Sequence, residues 1–214
     1  MVTETVRSIP GPTGPLEARL DLPAGTPRAA MVLGHPHPLY GGTLQTRAVY
    51  YTARALTRAG VAVLRLNFRG AGQSAGTFDE GRGEQDDFRA GLDFVSARLP
   101  GVPLWSGGLS FGSYVGMTVG ASDPRVSLLL GVAIAVDRYP YDAVRDSGKP
   151  VFLIHGEEDG LVPVRLVRQF YASLPEPREL IVIEGADHLF EGLDSVLADA
   201  VEGLVADFPD ITRG

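Results

Sequence analysis

The 214-residue chain predicts an α/β fold, with a mostly parallel central sheet, helices on both faces and one domain over residues 1–214. Three observations carry this. Short apolar runs alternate with longer segments whose apolar residues recur every three or four positions. The runs are almost continuously apolar, as strands are when both faces of a sheet are covered. No Ser/Gly-rich linker, charge block, internal repeat or low-complexity tract divides the chain, and its length suits a single core.

The elements follow in order. The N-terminal stretch reads as a β-hairpin, and AAMVLGH as the first long strand. TRAVYYTARALTRAG places Val49, Ala53 and Leu56 on one face and ends on Gly60, a helix with a stop signal. VAVLRLNF is a strand, and GEQDDFRAGLDFVSARL is a helix with Phe88, Leu92, Val95 and Leu99 on its apolar face. PLWSGG is a short strand, followed by a small-residue helix, FGSYVGMTVGAS. SLLLGVAIAV and PVFLIHG are strands, PVRLVRQFYASL is a helix with Pro163 at its start, and ELIVIEG is the last strand. LDSVLADAVEGLVADF, residues 193–208, closes the chain as a helix with Leu193, Val196, Leu197, Ala200, Val201 and Leu204 on one face.

Composition narrows the chemistry. A net charge of −7, with no run of basic residues, speaks against nucleic acid and against an acidic membrane as partners. With no cysteine there is no disulfide, thiolate metal site or thiol nucleophile, which fits a cytoplasmic location. The N-terminus lacks the apolar core of a signal peptide. The longest apolar run, SLLLGVAIAV, is about half of the ~20 residues a membrane span needs.

In sheets of this kind, function sits on the loops at the C-terminal ends of the strands. Two serines there lie in a G-x-S-x-G pattern: Ser110 in GLSFG and Ser74 in GQSAG. A chain with 27 glycines yields such matches by chance, so context decides. Ser110 follows a strand and opens a helix, as a nucleophile elbow requires; the tight turn demands minimal residues two positions either side, here Gly108 and Gly112. Ser74 is followed by the glycine-broken, acidic TFDEGRGEQDD, so it reads as a loop residue bonding its own turn. The same loop, RGAGQSA, matches a dinucleotide-binding fingerprint. It opens no helix at once, and Asp93 lies inside an amphipathic helix instead of ending a strand, so the match is set aside.

A serine hydroxyl needs a base. His188, in IEGADHLF, follows the last strand and completes the order Ser…Asp…His. His155 ends a strand and reads as locally bonded. His35 and His37, in GHPHPLYGG, could suggest a metal pair but lack further ligands. The acid should follow a strand between Ser110 and His188. Asp159, in HGEEDGLVP, is preferred, with Asp137 as competitor; Asp187 reads as structural. The oxyanion would be held by backbone N–H groups of Phe111 and of the first loop. Pro36 and Pro38 have no N–H, leaving His37, Leu39 or Tyr40, of which His37 is chosen.

Taken together, GHPHPLYGG, LNFRGAGQSAGTFDEGRGEQDD, GLSFGSYVG, HGEEDGLVP and GADHLF resemble a group of small bacterial α/β-hydrolases without a lid, related to the dienelactone hydrolase branch. The resemblance spans roughly residues 15–205. It implies a Ser110–Asp159–His188 triad and a structural role for the RGAGQSAG loop. Dienelactone hydrolases use a cysteine nucleophile, which this chain lacks, so their substrate does not carry over. The segment DRYPYDAVRDSGK, where relatives insert a cap domain, is too short for one. The result is an open pocket, edged by Tyr40, Tyr139, Phe111 and Phe190.

The expected activity is that of a serine hydrolase, a carboxylesterase for small or short-chain acyl esters, with a small-molecule acyl substrate, no cofactor and no metal. A thioesterase or an amidase/peptidase would use the same groups. A non-catalytic scaffold of the same fold is the alternative of another class.

Overall fold

The computed structural model describes residues 2–4 and 6–207. The chain's extreme ends, including Phe208 of the expected last helix, lie outside the described residues. Among the described residues there are nine strands: β1 (Val2–Glu4), β2 (Ser8–Gly11), β3 (Gly14–Leu22), β4 (Ala29–Gly34), β5 (Val61–Leu66), β6 (Leu104–Leu109), β7 (Val126–Val132), β8 (Val151–Gly156) and β9 (Arg178–Ile183). Their order across the sheet is β1-β3-β5-β4-β6-β7-β8-β9, with β2 paired to β3. β4 through β9 run parallel, while the hairpin strand β3 joins β5 antiparallel. The helices are α1 (Arg47–Arg58), α2 (Arg82–Arg98), α3 (Phe111–Ser122), α4 (Asp142–Asp146), α5 (Val164–Ser173) and α6 (Asp194–Asp207).

The two faces of the sheet explain the unbroken apolar strands. Along β4, Ala30 and Val32 join one core with Phe88 and Leu92 of α2 and Val115 of α3. Their neighbours Ala29, Met31 and Leu33 join the opposite core with Val49 and Leu56 of α1 and Leu197 and Val201 of α6. β8 divides likewise: Val151 and Leu153 face the first core, Phe152 and Ile154 the second. Side chains alternate across a strand, so a strand covered on both faces must be apolar at every position.

Three details differ from expectation. The strand expected over 127–136 ends at Val132, because Ala133 takes a positive φ of 48° and turns the chain away. A five-residue helix, α4, and a short 3-10 turn at Pro38–Tyr40 were too brief to leave a periodic signal. The span between β7 and β8 holds only α4, so no cap covers the C-terminal edge of the sheet.

The discounted loop is a structural bracket. Ser74 Oγ accepts the Glu17 N–H at 2.9 Å and donates to the Asn67 carbonyl at 2.7 Å, so it ties the loop to β3 instead of bonding only its own turn. Arg69 makes a two-pronged pair with buried Asp87 of α2, at 2.8 and 3.0 Å. The helix starts at Arg82, well beyond the fingerprint glycines Gly70 and Gly72.

Candidate active site

The site forms where β4, β6, β8 and β9 end. Ser110 sits between β6 and α3 with φ 56° and ψ −120°, a conformation that side-chain-bearing residues rarely adopt. Its surroundings hold it there. Its N–H donates to Val132 O at 2.9 Å. Its carbonyl accepts from Ser113 N at 2.9 Å and from Ser113 Oγ at 2.6 Å. The Ser113 hydroxyl in turn pairs with buried Tyr141 at 2.9 Å, and Tyr141 accepts from Ala135 N. The flanking glycines are required by contact. A Cβ on Gly108 would lie 2.5 Å from Gly112 O, and one on Gly112 would lie 2.5 Å from the carbonyl oxygens of Gly34 and His35.

His188 Nε2 lies 2.9 Å from Ser110 Oγ, and its Nδ1 lies 2.6 Å from Asp159 Oδ2. Asp159 is buried in the loop after β8, and its Oδ1 accepts the Leu161 and Val162 N–H groups, both at 2.8 Å. Burial opposes its ionisation, but the His188 hydrogen bond and these two amides outweigh burial and hold the carboxyl below its usual range. With the carboxylate charged, His188 carries its proton on Nδ1, and Nε2 is left to accept from the serine. The two loops meet closely because β8 ends on Gly156, where a Cβ would sit 2.4 Å from the Ala186 carbonyl oxygen.

His155 is the second imidazole near Asp159. It is fully buried, with Nε2 2.8 Å from Val162 O and 3.3 Å from Asp159 Oδ2. Two acceptors at Nε2 place its proton there. Asp137, the competing acid, lies beside a neighbouring depression with Tyr139 and Phe170, apart from Ser110. Asp187 braces the His188 loop, since its Oδ1 accepts the Leu189 and Glu191 N–H groups at 3.0 Å each.

Phe111 and His37 line the pocket next to Ser110. Phe111 is the first residue of α3, where helix N–H groups have no partner within the helix. The His37 ring packs against Tyr40, Phe78 and Phe111, with centroids 4.8, 4.7 and 5.0 Å away. The pocket has a volume of about 350 Å³ and is completed by Tyr40, Ala135, Arg138, Tyr139, Leu161, Val162 and His188. Phe190 is a correction. It was expected at the edge of the pocket but lies fully buried in the α1/α6 core, turned inward by a positive φ of 58°. The exposed position in that loop goes to Leu189, and burying the larger ring removes more apolar surface from water. Arg138, Leu161, Val162 and Ala135 were missed. Leu161 and Val162 follow β8 in a loop already singled out for Asp159, whereas Ala135 fell inside the strand expected over 127–136 and Arg138 just beyond it.

His35 and His37 do not form a metal pair. His35 Nδ1 donates to Pro36 O at 2.6 Å and its Nε2 accepts the Phe68 N–H at 3.1 Å, so both nitrogens are in use. Among the described residues no cluster of three or more His, Cys, Asp or Glu could hold a metal ion. Burial pushes the His35 imidazole down to about 4. Between that value and the ordinary ~6.5 the unfolded chain binds the extra proton, so stability falls as pH drops through this window. The expected loss due to His35 is about 3 kcal/mol from pH 7 to pH 4. Urea midpoints over that range should fall less steeply in His35→Gln, which keeps a donor and an acceptor but does not titrate; parallel curves would refute the assignment.

Comparison with known proteins agrees with this architecture. An α/β serine hydrolase homologue from Coxiella burnetii superposes with a TM-score of 0.89 and 33% identity, covering 95% of this chain and 98% of that one. An α/β serine hydrolase without a lid from Xanthomonas campestris gives 0.89 and 31%, covering 97% and 96%. An uncharacterized protein of Rickettsia prowazekii is 34% identical over 84% of this chain and 79% of its own length. Residues 25–145 match the family described as serine aminopeptidase, S33. The chain belongs to this serine aminopeptidase S33 family and is a small α/β-hydrolase without a lid.

Proposed function

We propose that the protein is a carboxylesterase for small or short-chain acyl compounds. The observation that carries the reading is the continuous line from Ser110 Oγ through His188 to Asp159, at 2.9 and 2.6 Å. Ser110 attacks the carbonyl carbon while His188 Nε2 takes its proton. The N–H groups of Phe111 and His37 stabilise the oxyanion, aided by the N-terminal end of α3. His188 returns the proton to the leaving alcohol, and water hydrolyses the acyl-enzyme by the same steps. Asp159 orients the imidazole and stabilises its cation.

The family's name favours a second reading, amide or peptide cleavage by the same groups. The pocket walls support the ester instead. Besides Ser110 they are histidine, tyrosine and phenylalanine rings, aliphatic side chains and one arginine, a lining suited to a small acyl compound. Relative rates on matched ester, thioester and anilide substrates decide between these chemistries.

The direct test is labelling with a fluorophosphonate, with the modified peptide located by mass spectrometry. The expected adduct is on Ser110 and is lost in His188→Ala. An adduct on Ser74, or none at all, would overturn the reading, and the second result would favour a binding scaffold.

A further inference from the structure

We propose that the substrate is an anionic ester: a flat, apolar body bearing a carboxylate, which Arg138 recognises at the mouth of the pocket. The proposal rests on the hydrolase reading above and names the substrate class of that same site.

The walls argue for the flat body. His37, Tyr40 and Tyr139 line the pocket with rings and Leu161 with aliphatic surface, over a buried apolar floor of Phe111, Ala135 and Val162. The apolar wall extends outward, since Tyr40 is 85% exposed and Leu161 55% exposed although both line the pocket. Large apolar side chains left open to water at a cleft mouth gain by covering an apolar ligand.

Charge argues for the carboxylate. Among the described residues Arg138 is the one permanent cation lining the pocket, and no carboxylate lines it. Several surface arginines away from the pocket are neutralised at hydrogen-bonding distance: Arg89 by Asp86 at 2.6 Å, Arg125 by Asp93 at 2.8 Å, Arg145 by Asp142 at 2.9 Å. Arg138 is not held in this way. Among the described residues its acidic neighbour within 4 Å is Asp137, at 3.9 Å, beyond a hydrogen bond, and Asp137 lines the neighbouring depression instead. The planar guanidinium therefore retains donors that match a carboxylate two-prong. On a chain of net charge −7 this cation also makes the mouth a local exception in a field that otherwise repels anions.

The test compares kcat/KM for two isosteric pairs, each differing by a carboxylate against a neutral carboxamide. One pair carries the charge on the alcohol side, 4-acetoxybenzoate and 4-acetoxybenzamide. The other carries it on the acyl side, methyl 4-carboxybenzoate and methyl 4-carbamoylbenzoate. Comparing each anionic-to-neutral ratio between enzymes cancels intrinsic reactivity. Arg138→Gln should lower the ratio about five- to tenfold for at least one pair, with Arg138→Lys intermediate. Turnover with both ratios unmoved within about twofold overturns the proposal. If neither pair turns over, protection is read instead: 4-carbamoylbenzoate should slow fluorophosphonate labelling of Ser110 more than terephthalamide does, and Arg138→Gln should erase the difference. Equal protection overturns the proposal while leaving the hydrolase reading intact. Absence of labelling without any competitor refutes the hydrolase reading itself.

Discussion

Asp159→Asn is expected to fold normally and to turn over acyl substrates about 10⁴-fold more slowly than the wild type. The geometry dictates how the new amide sits. Asp159 Oδ1 accepts two backbone N–H groups, from Leu161 and Val162, at 2.8 Å each. The asparagine oxygen must take that position, because an NH₂ group there would face two donors. The NH₂ then occupies the place of Oδ2, 2.6 Å from His188 Nδ1. It donates to Nδ1, so the imidazole proton moves to Nε2, and Nε2 meets Ser110 as a donor. The serine proton has no acceptor. Both backbone hydrogen bonds survive, so thermal unfolding should show a folded protein while kcat/KM and the fluorophosphonate labelling rate fall together. A loss of less than about tenfold in both would mean that Asp159 does not set the tautomer of His188, and would remove it from the proposed mechanism.

The same local logic explains which features were legible in the sequence. Ser110 and Ser74 share a pattern, and the segment after each serine tells them apart: a helix after one, a glycine-broken loop after the other. The parallel sheet was legible because each buried strand is apolar on both faces, a signal local to the strand. Signals that depend on distant partners were not. Tyr141 supports the elbow through Ser113, 28 residues earlier, and nothing in either segment announces the pairing. Phe190 failed for a related reason. Its place in the His188 loop suggested the pocket edge, yet a single positive φ sends it to the core, and no residue type there demanded that turn. Arg138 was hidden by chemistry: an arginine among tyrosines on a loop reads as solvated surface until the pocket is seen to include it.

The second large effect is on the elbow itself. Gly112→Ala should destabilise the protein by about 3 kcal/mol and displace Ser110 enough to cut activity roughly 100-fold. The added Cβ would meet Gly34 C at 2.4 Å and the carbonyl oxygens of Gly34 and His35 at 2.5 Å. All three are backbone atoms at the end of a central strand, so no side chain can rotate to relieve the overlap. Either α3 lifts from β4 or the end of β4 bends. The first shifts the Ser110 hydroxyl relative to His188, whose position depends on β8 and the loop after β9; the second shifts the loop that carries His37. The fair comparison is Gly203 in α6, where a Cβ meets nothing within 4 Å. There the same substitution removes the conformational penalty of a helical glycine and should stabilise the protein by up to about 1 kcal/mol. Urea unfolding of the two variants therefore tests the packing argument by sign. If Gly112→Ala were as stable as the wild type, the contact of α3 with Gly34 and His35 could not be as close as described. The tight-turn explanation for Gly112 would then fall with it.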